Sequence, residues 1–81
     1  MELSKHAEDR IRQRGISMAA LDVIWKYGRE SFAPGGAVKY FFGKNEYQYA
    51  LNDHEERADV INRVKGFTIV VIDGTVITAY R

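Results

Sequence analysis

A histidine and two arginines stand at four-residue spacing near the start of the chain, at His6, Arg10 and Arg14. On a helix, positions four apart lie nearly above one another, so these side chains would form one stripe. Neither arginine has an acidic residue four positions before it. Imidazole can shuttle protons near neutral pH, and guanidinium can grip a phosphate with two parallel hydrogen bonds. The stripe therefore predicts a phosphate site.

The same three residues have a second interpretation, an ordinary solvated helix face, because surface arginines are common and most are inert. The other histidine, His54, falls on the same predicted helix side as Leu51 and Ile61. That position favours a structural role at the edge of the core.

The composition narrows the classes of protein to consider. The chain has 81 residues, which predicts a single domain over residues 1–81 with a small core. It has no cysteine and only two histidines, so we expect neither a disulfide framework nor a metal site, and no cofactor. No apolar run is long enough to span a bilayer, and we expect a cytoplasmic protein without a membrane partner. A net charge of +1 means that any basic site must be local.

Two short helices are predicted at the start of the chain. The first runs from Lys5 to Arg14, with Ser4 as its N-cap and Gly15 as its stop. The second follows Ser17 as N-cap and ends at Gly28.

The middle of the chain predicts two strands and a helix. A turn at Pro34-Gly35 separates a weak strand over residues 30–32 from an aromatic strand over residues 38–42. Residues 44–65 are predicted to be helical with an interruption near Asn52, after which Asp53 would cap a second helical part.

A β-hairpin is predicted at the C-terminal end, where two apolar strands flank Asp73-Gly74. Continuous pairing from that turn would set Thr78 opposite Ile69 and Tyr80 opposite Phe67, so the two hydroxyl groups would share one face. Together these elements predict an α+β fold: two N-terminal helices, a mid-chain helix and an antiparallel sheet that ends in a β-hairpin.

Three segments of the chain resemble a small bacterial domain-of-unknown-function family related to the RelE/barnase-like ribonuclease toxins. They are residues 6–17 (HAEDRIRQRGIS), residues 36–41 (GAVKYF) and residues 70–81 (VVIDGTVITAYR). The resemblance implies a RelE/barnase-like fold and a metal-independent endoribonuclease that acts on RNA. It assigns catalytic roles to four residues: His6, Arg10, Arg14 and Tyr80. It also implies substrate binding by four residues: Arg10, Arg14, Thr78 and Arg81.

In such an enzyme the 2′-hydroxyl of the RNA attacks the adjacent phosphorus, and His6 would act as the acid/base. A competing hypothesis is a binding module without catalysis, in which the basic stripe docks nucleic acid or an acidic partner such as a cognate antitoxin protein. The near-neutral net charge and the lack of a second convincing acid/base favour that alternative.

Overall fold

The first helix begins and ends where its sequence signals predict. A computed structural model of the protein describes residues 1–53 and 57–81, and α1 spans Lys5–Arg14. The Ser4 Oγ atom accepts a hydrogen bond from the Ala7 backbone N–H at 3.1 Å, as an N-cap should. Gly15 ends the helix in the left-handed conformation with φ of 66°.

The second helix confirms its predicted boundaries in the same way. The helix α2 spans Met18–Tyr27, and the Ser17 Oγ atom accepts from the Ala20 backbone N–H at 3.1 Å. Gly28 closes the helix, and its N–H donates to the Ile24 carbonyl.

The mid-chain helix is divided in two, as predicted, but the proposed cap is wrong. The helix α3 spans Lys44–Asp53 and α4 spans Ala58–Arg63. Asp53 ends α3 instead of capping α4, and its carboxylate accepts a hydrogen bond from the Tyr27 hydroxyl. The N-cap of α4 is Arg57. The prediction for His54 lies outside the described residues, as does the rest of the proposed cap.

Five strands form one sheet in the order β1-β5-β4-β3-β2. Their bounds are β1 Glu2–Leu3, β2 Arg29–Ala33, β3 Ala37–Phe41, β4 Thr68–Ile72 and β5 Thr75–Tyr80. Neighbouring strands from β2 to β5 are antiparallel, as predicted. The two-residue strand β1 adds a parallel edge beside β5, which no sequence pattern indicated.

Both predicted turns adopt conformations that require their glycines. Gly35 has φ of 80° and ψ of 18°, which suits the third position of a type II turn. Asp73 and Gly74 have φ of 49° and 78°. A type I′ turn requires a positive φ at both of its central residues, so these values fit that turn.

The helices bury their apolar residues against one face of the sheet only. Every buried helix residue belongs to a single core cluster, which also contains Ile69 and Val71 of β4 and Val76 and Ala79 of β5. Val70, which alternates with Ile69 and Val71 along β4, is outside that cluster. Among the described residues the sheet therefore has one face covered by helices and one face without them, which we call the open face.

A β-bulge in β5 decides which side chains reach the open face. Val71 pairs with Val76, but Val70 pairs with Thr78, so Ile77 is an extra residue on β5. The predicted pairing is right between the turn and Val76 and wrong beyond it. Thr78 and Tyr80 do share a face, but it is the open face instead of the face that carries Ile69.

Candidate nucleic-acid interface

The strand registers bring polar and aromatic side chains into two rows across the open face. The first row follows the pairs Arg29–Phe41, Phe41–Thr68 and Thr68–Tyr80 from β2 to β5. The second row follows the pairs Ser31–Lys39, Lys39–Val70 and Val70–Thr78. We call these eight residues the platform: Arg29, Phe41, Thr68, Tyr80, Ser31, Lys39, Val70 and Thr78.

The charge on the platform is of one sign. Arg29 and Lys39 are both exposed, and neither row contains a carboxylate. The acidic residue of β2, Glu30, pairs with Tyr40 in a row that also contains the core residue Ile69. The alternation of the strands thus sends the acid to the covered side of the sheet and the cations to the open side.

An arginine and an aromatic ring form the outer part of the first row. The Arg29 guanidinium lies 5.5 Å from the centroid of the Phe41 ring, within the range of a cation–π contact. Phe41 is 37% exposed. A large aromatic side chain held on a rigid strand beside an arginine provides a surface on which a nucleobase can stack.

The inner part of the platform is more enclosed and carries hydroxyl groups. Thr68 and Val70 are almost fully buried, whereas Thr78 and Tyr80 are half-buried. Threonine and tyrosine hydroxyls both donate and accept hydrogen bonds. The rows therefore pass from cations at the β2 side to hydroxyls at the β5 side.

The sequence patterns indicated Thr78 and Tyr80 but not the partners that the sheet gives them. The six platform residues on the other strands that they did not indicate are Arg29, Ser31, Lys39, Phe41, Thr68 and Val70. A local signal was present on β3, where Lys39 stands between the more apolar Val38 and Tyr40, but not on β2, where Glu30 stands between Arg29 and Ser31. Their alignment with β4 and β5 depends on strand order and on the bulge, neither of which has a local sequence signal.

The predicted stripe lies on α1, but its members differ in exposure. His6 and Arg14 are exposed, and Arg10 is half-buried. The Arg10 Nε atom is buried and has no hydrogen-bond partner among the described residues. The adjacent acid Asp9 pairs with Lys5 and with Arg12, each at 3.5 Å.

The structure places α1 directly beside β5. The Ser4 backbone N–H donates to the Val76 carbonyl at 2.9 Å, and the Ser4 hydroxyl donates to the Ile77 carbonyl at 3.1 Å. The buried residues Ala7 and Ile11 of α1 join the core cluster on the covered face.

The stripe and the two hydroxyls are therefore on adjacent elements but are not joined. The bulge turns Thr78 and Tyr80 to the open face, whereas α1 packs its apolar side against the covered face. In the part of the chain that the structure describes, no hydrogen bond links His6, Arg10 or Arg14 to either hydroxyl. The last predicted binding residue, Arg81, donates to the Lys65 carbonyl at 3.0 Å.

Two tyrosines outside the platform have raised pKa values. Burial, together with the Glu30 carboxylate, raises the pKa of Tyr40, which also packs against Trp25 with 5.8 Å between ring centroids. A hydrogen bond to the Asp53 carboxylate raises the pKa of Tyr27. Both phenols are therefore held in the neutral form and act as structural bridges between elements.

No three His, Asp or Glu side chains within residues 1–53 and 57–81 are grouped so that they could hold a metal ion. None of the described helices is both long and apolar enough to cross a membrane.

Comparison of the chain with protein-family models, with curated proteins and with solved structures found no match. The resemblance to RelE/barnase-like ribonucleases therefore stays a prediction from three sequence segments.

Proposed function

We propose that this protein is a cytoplasmic RNA-binding domain that holds single-stranded RNA on the open face of its sheet. The platform is the observation that carries the proposal, because its two rows present cations, an exposed aromatic ring and hydroxyls. The carboxylate that lies on the same face, Glu2 of β1, is outside the rows and accepts a hydrogen bond from Thr75 at 3.3 Å. Proteins bind single strands by stacking bases on aromatic side chains and by attracting the phosphates with cations.

The chemistry of the platform favours RNA over DNA. Single-stranded RNA offers a 2′-hydroxyl that donates and accepts hydrogen bonds. The half-buried Thr78 and Tyr80 lie in neighbouring rows on β5, where their hydroxyls could be matched to such a group. The net charge of +1 also fits a local site better than a general attraction to polyanions.

Binding to a single-stranded RNA oligonucleotide, measured by fluorescence anisotropy, tests this proposal. Replacement of the stacking ring in Phe41→Ala should weaken binding by about 5- to 100-fold, since each stacked base contributes roughly 1–3 kcal/mol. The matched control is Phe32→Ala, because Phe32 is also an exposed phenylalanine but belongs to the row of Val38 and the core residue Val71.

The control should bind RNA as the wild type does. An equal loss of RNA affinity in Phe41→Ala and Phe32→Ala would show that the open face is not the binding surface. A wild-type protein that binds DNA of the same sequence as tightly as RNA would remove the role given to the hydroxyls.

A second candidate function is a metal-independent endoribonuclease of the toxin type, and the stripe on α1 favours it. His6 and Arg14 are exposed and Arg10 is half-buried, so an imidazole and two guanidinium groups share one helix face where a phosphate could be bound. In this scheme His6 takes the proton of the attacking 2′-hydroxyl as the bond to phosphorus forms, and returns it to the 5′-oxygen as that oxygen leaves. Arg10 and Arg14 would stabilise the phosphoryl charge, and Tyr80, which lies on the open face, would take no part.

Incubation of RNA with the purified protein in the presence of EDTA distinguishes the two candidates. A ribonuclease should leave 2′,3′-cyclic phosphate ends, and His6→Ala should slow cleavage by roughly 10²–10⁴. A binding domain should leave the RNA intact in every variant while Arg10→Gln alters only the affinity. Growth of bacteria that express wild type or His6→Ala would show in parallel whether the protein is toxic, as expected if a cognate antitoxin exists.

A further inference from the structure

The helix α3 begins without the side-chain cap that the first two helices have. The Ser4 and Ser17 hydroxyls each accept a hydrogen bond from a backbone N–H in the first turn of their helix. At the start of α3, the Gly43 carbonyl accepts from the Tyr47 backbone N–H at 2.9 Å, which makes Gly43 the N-cap. Serine is preferred to glycine at an N-cap, so the capping rule alone would favour a side chain at this position.

The backbone at Gly43 does not itself require a glycine. Gly43 is not among the described residues with a positive φ, so an L-amino acid could adopt the same conformation. Its N–H donates to a carboxylate oxygen of Glu46 at 3.0 Å, and an alanine or a serine would keep that N–H. What the glycine provides is therefore space.

The ring of Phe41 fills the space that a side chain at Gly43 would need. A Cβ atom added to Gly43 would lie 2.4 Å from the Phe41 Cε2 atom and 3.1 Å from its Cδ2 atom. Carbon atoms pack at about 3.5–4.0 Å, so the ring would have to move away. One edge of the ring thus rests against Gly43, and the Arg29 guanidinium lies 5.5 Å from the ring centroid. These two neighbours define where the ring stands on the open face.

We propose that Gly43 is a positioning residue for RNA binding, which keeps the Phe41 ring in the place where a base stacks on it. The inference rests on the proposed RNA binding and adds a residue that acts through Phe41 and not through a contact of its own. Phe41 is 37% exposed, so a displaced ring can turn toward solvent without opening the core. A side chain at Gly43 should therefore reduce RNA binding far more than it reduces stability.

Gly43→Ala tests the inference when RNA affinity and the urea midpoint are measured on the same protein. The loss of affinity should approach that of Phe41→Ala, about 5- to 100-fold, because both variants remove the same stacking surface. The urea midpoint should stay close to that of the wild type. Gly43→Ser is the second variant should Gly43→Ala lack a cooperative transition, because a serine hydroxyl can cap α3.

The double variant Phe41→Ala/Gly43→Ala is the first control. Once the ring is absent, the added methyl group has nothing to displace, so the double variant should bind RNA as Phe41→Ala does. A further loss of affinity in the double variant would show that Gly43 acts otherwise than through the ring, and would overturn the inference.

Glu46→Ala is the second control, and it separates the ring from the helix cap. The Cβ atom added to Gly43 would also lie 3.0 Å from a Glu46 carboxylate oxygen, which gives Gly43→Ala a second way to act. Glu46→Ala removes the capping hydrogen bond and leaves the ring in place, so it should lower the urea midpoint and keep the wild-type affinity for RNA. A loss of affinity as large as that of Gly43→Ala would assign the effect to the cap and overturn the inference.

The position of the ring can also be measured without RNA. In NMR spectra of the wild type, the Phe41 ring protons should show nuclear Overhauser contacts with the Arg29 side chain, and Gly43→Ala should weaken them. Contacts of equal strength in both proteins would overturn the inference.

The RNA measurements distinguish a failure of the inference from a failure of the proposed function. Wild-type protein that binds RNA no more tightly than Gly43→Ala does would overturn the inference and leave the proposed function standing. Wild-type protein that binds no RNA would instead overturn the proposed function, and the inference with it.

Discussion

Arg10 carries a polar atom in an unusual state. Its Nε is buried without a hydrogen-bond partner among the described residues, although most buried polar atoms in folded proteins have one. An unpartnered donor of this kind loses its hydration and gains nothing in exchange. The unpartnered Nε of Arg10 is therefore expected to cost stability and not to add to it.

Arg10→Met should therefore leave the free energy of unfolding unchanged or raise it by up to about 1 kcal/mol. Methionine keeps much of the apolar stem and removes the unsatisfied donor. Urea denaturation measures the stability, and anisotropy with RNA measures the function. A loss of stability well above 1 kcal/mol would show that Arg10 has a structural partner.

Tyr27 joins α2 to α3 through its hydrogen bond to Asp53. That bond raises the pKa of the phenol above its ordinary value of 10.0, so the folded state favours the neutral form. Its contribution to stability is complete below pH 10 and is lost as the pH rises through the folded pKa. Tyr27→Phe should lower stability by at most about 1 kcal/mol at neutral pH.

The difference in urea midpoint between Tyr27→Phe and the wild type should shrink as the pH is raised above 10. Phenolate absorbance of the two proteins gives an independent measure of the same titration. A difference that stays constant over this range would show that the Tyr27 hydroxyl does not titrate while bonded to Asp53.

At the scale of the elements, the hairpin depends on a backbone conformation that few residues adopt. Gly74 has φ of 78°, and a Cβ atom added there would meet nothing within 4 Å. Any penalty for a larger side chain must therefore come from the backbone conformation alone. Gly74→Val should lower stability by about 1 kcal/mol or more, since β-branched residues resist positive φ.

Gly74→Asn is the matched control, because asparagine tolerates this conformation and should cost much less. Urea midpoints of the two variants provide the comparison. Similar midpoints for Gly74→Val and the wild type would contradict the assigned turn.

The same hairpin shows how far local sequence signals reach. Residues within a few positions of one another determine a helix cap or a tight turn. The caps at Ser4 and Ser17 and the turn at Asp73-Gly74 were therefore predictable from the sequence. The bulge at Ile77 is different. Because β4 is largely apolar on both faces, β5 meets apolar partners in the bulged register and in the regular one, and the sequence does not distinguish them. The platform follows from the bulge and from strand order, and it was therefore only partly predictable.

At the scale of the whole molecule, stability depends on one apolar layer between the helices and one face of the sheet. Phe42 is fully buried in that layer, whereas Phe32 is 82% exposed on the edge strand β2. The two residues have the same side chain and differ only in surroundings. The change in unfolding free energy on replacing each of them therefore measures how much burial on the covered face stabilises the fold.

Phe42→Ala should lower the free energy of unfolding by roughly 3–5 kcal/mol, because it removes a buried ring and leaves a cavity. A domain of this size is expected to have only about 4–12 kcal/mol in total, so this variant should be close to unfolding. Phe32→Ala should change stability by less than about 0.5 kcal/mol. Thermal melts of Phe42→Ala and Phe32→Ala test this prediction. A comparable loss of stability in the two variants would mean that Phe32 is covered by a second molecule in solution.

The extra residue in β5 makes the platform insensitive to one particular codon deletion. Loss of Ile77 would let Thr78 follow Val76 directly, in a regular ladder opposite Val70 and Val71. Thr78 and Tyr80 would stay on the open face, and Ala79 would stay in the core. A lineage that lost this codon would keep the platform, so this strand can change in length without changing what it displays.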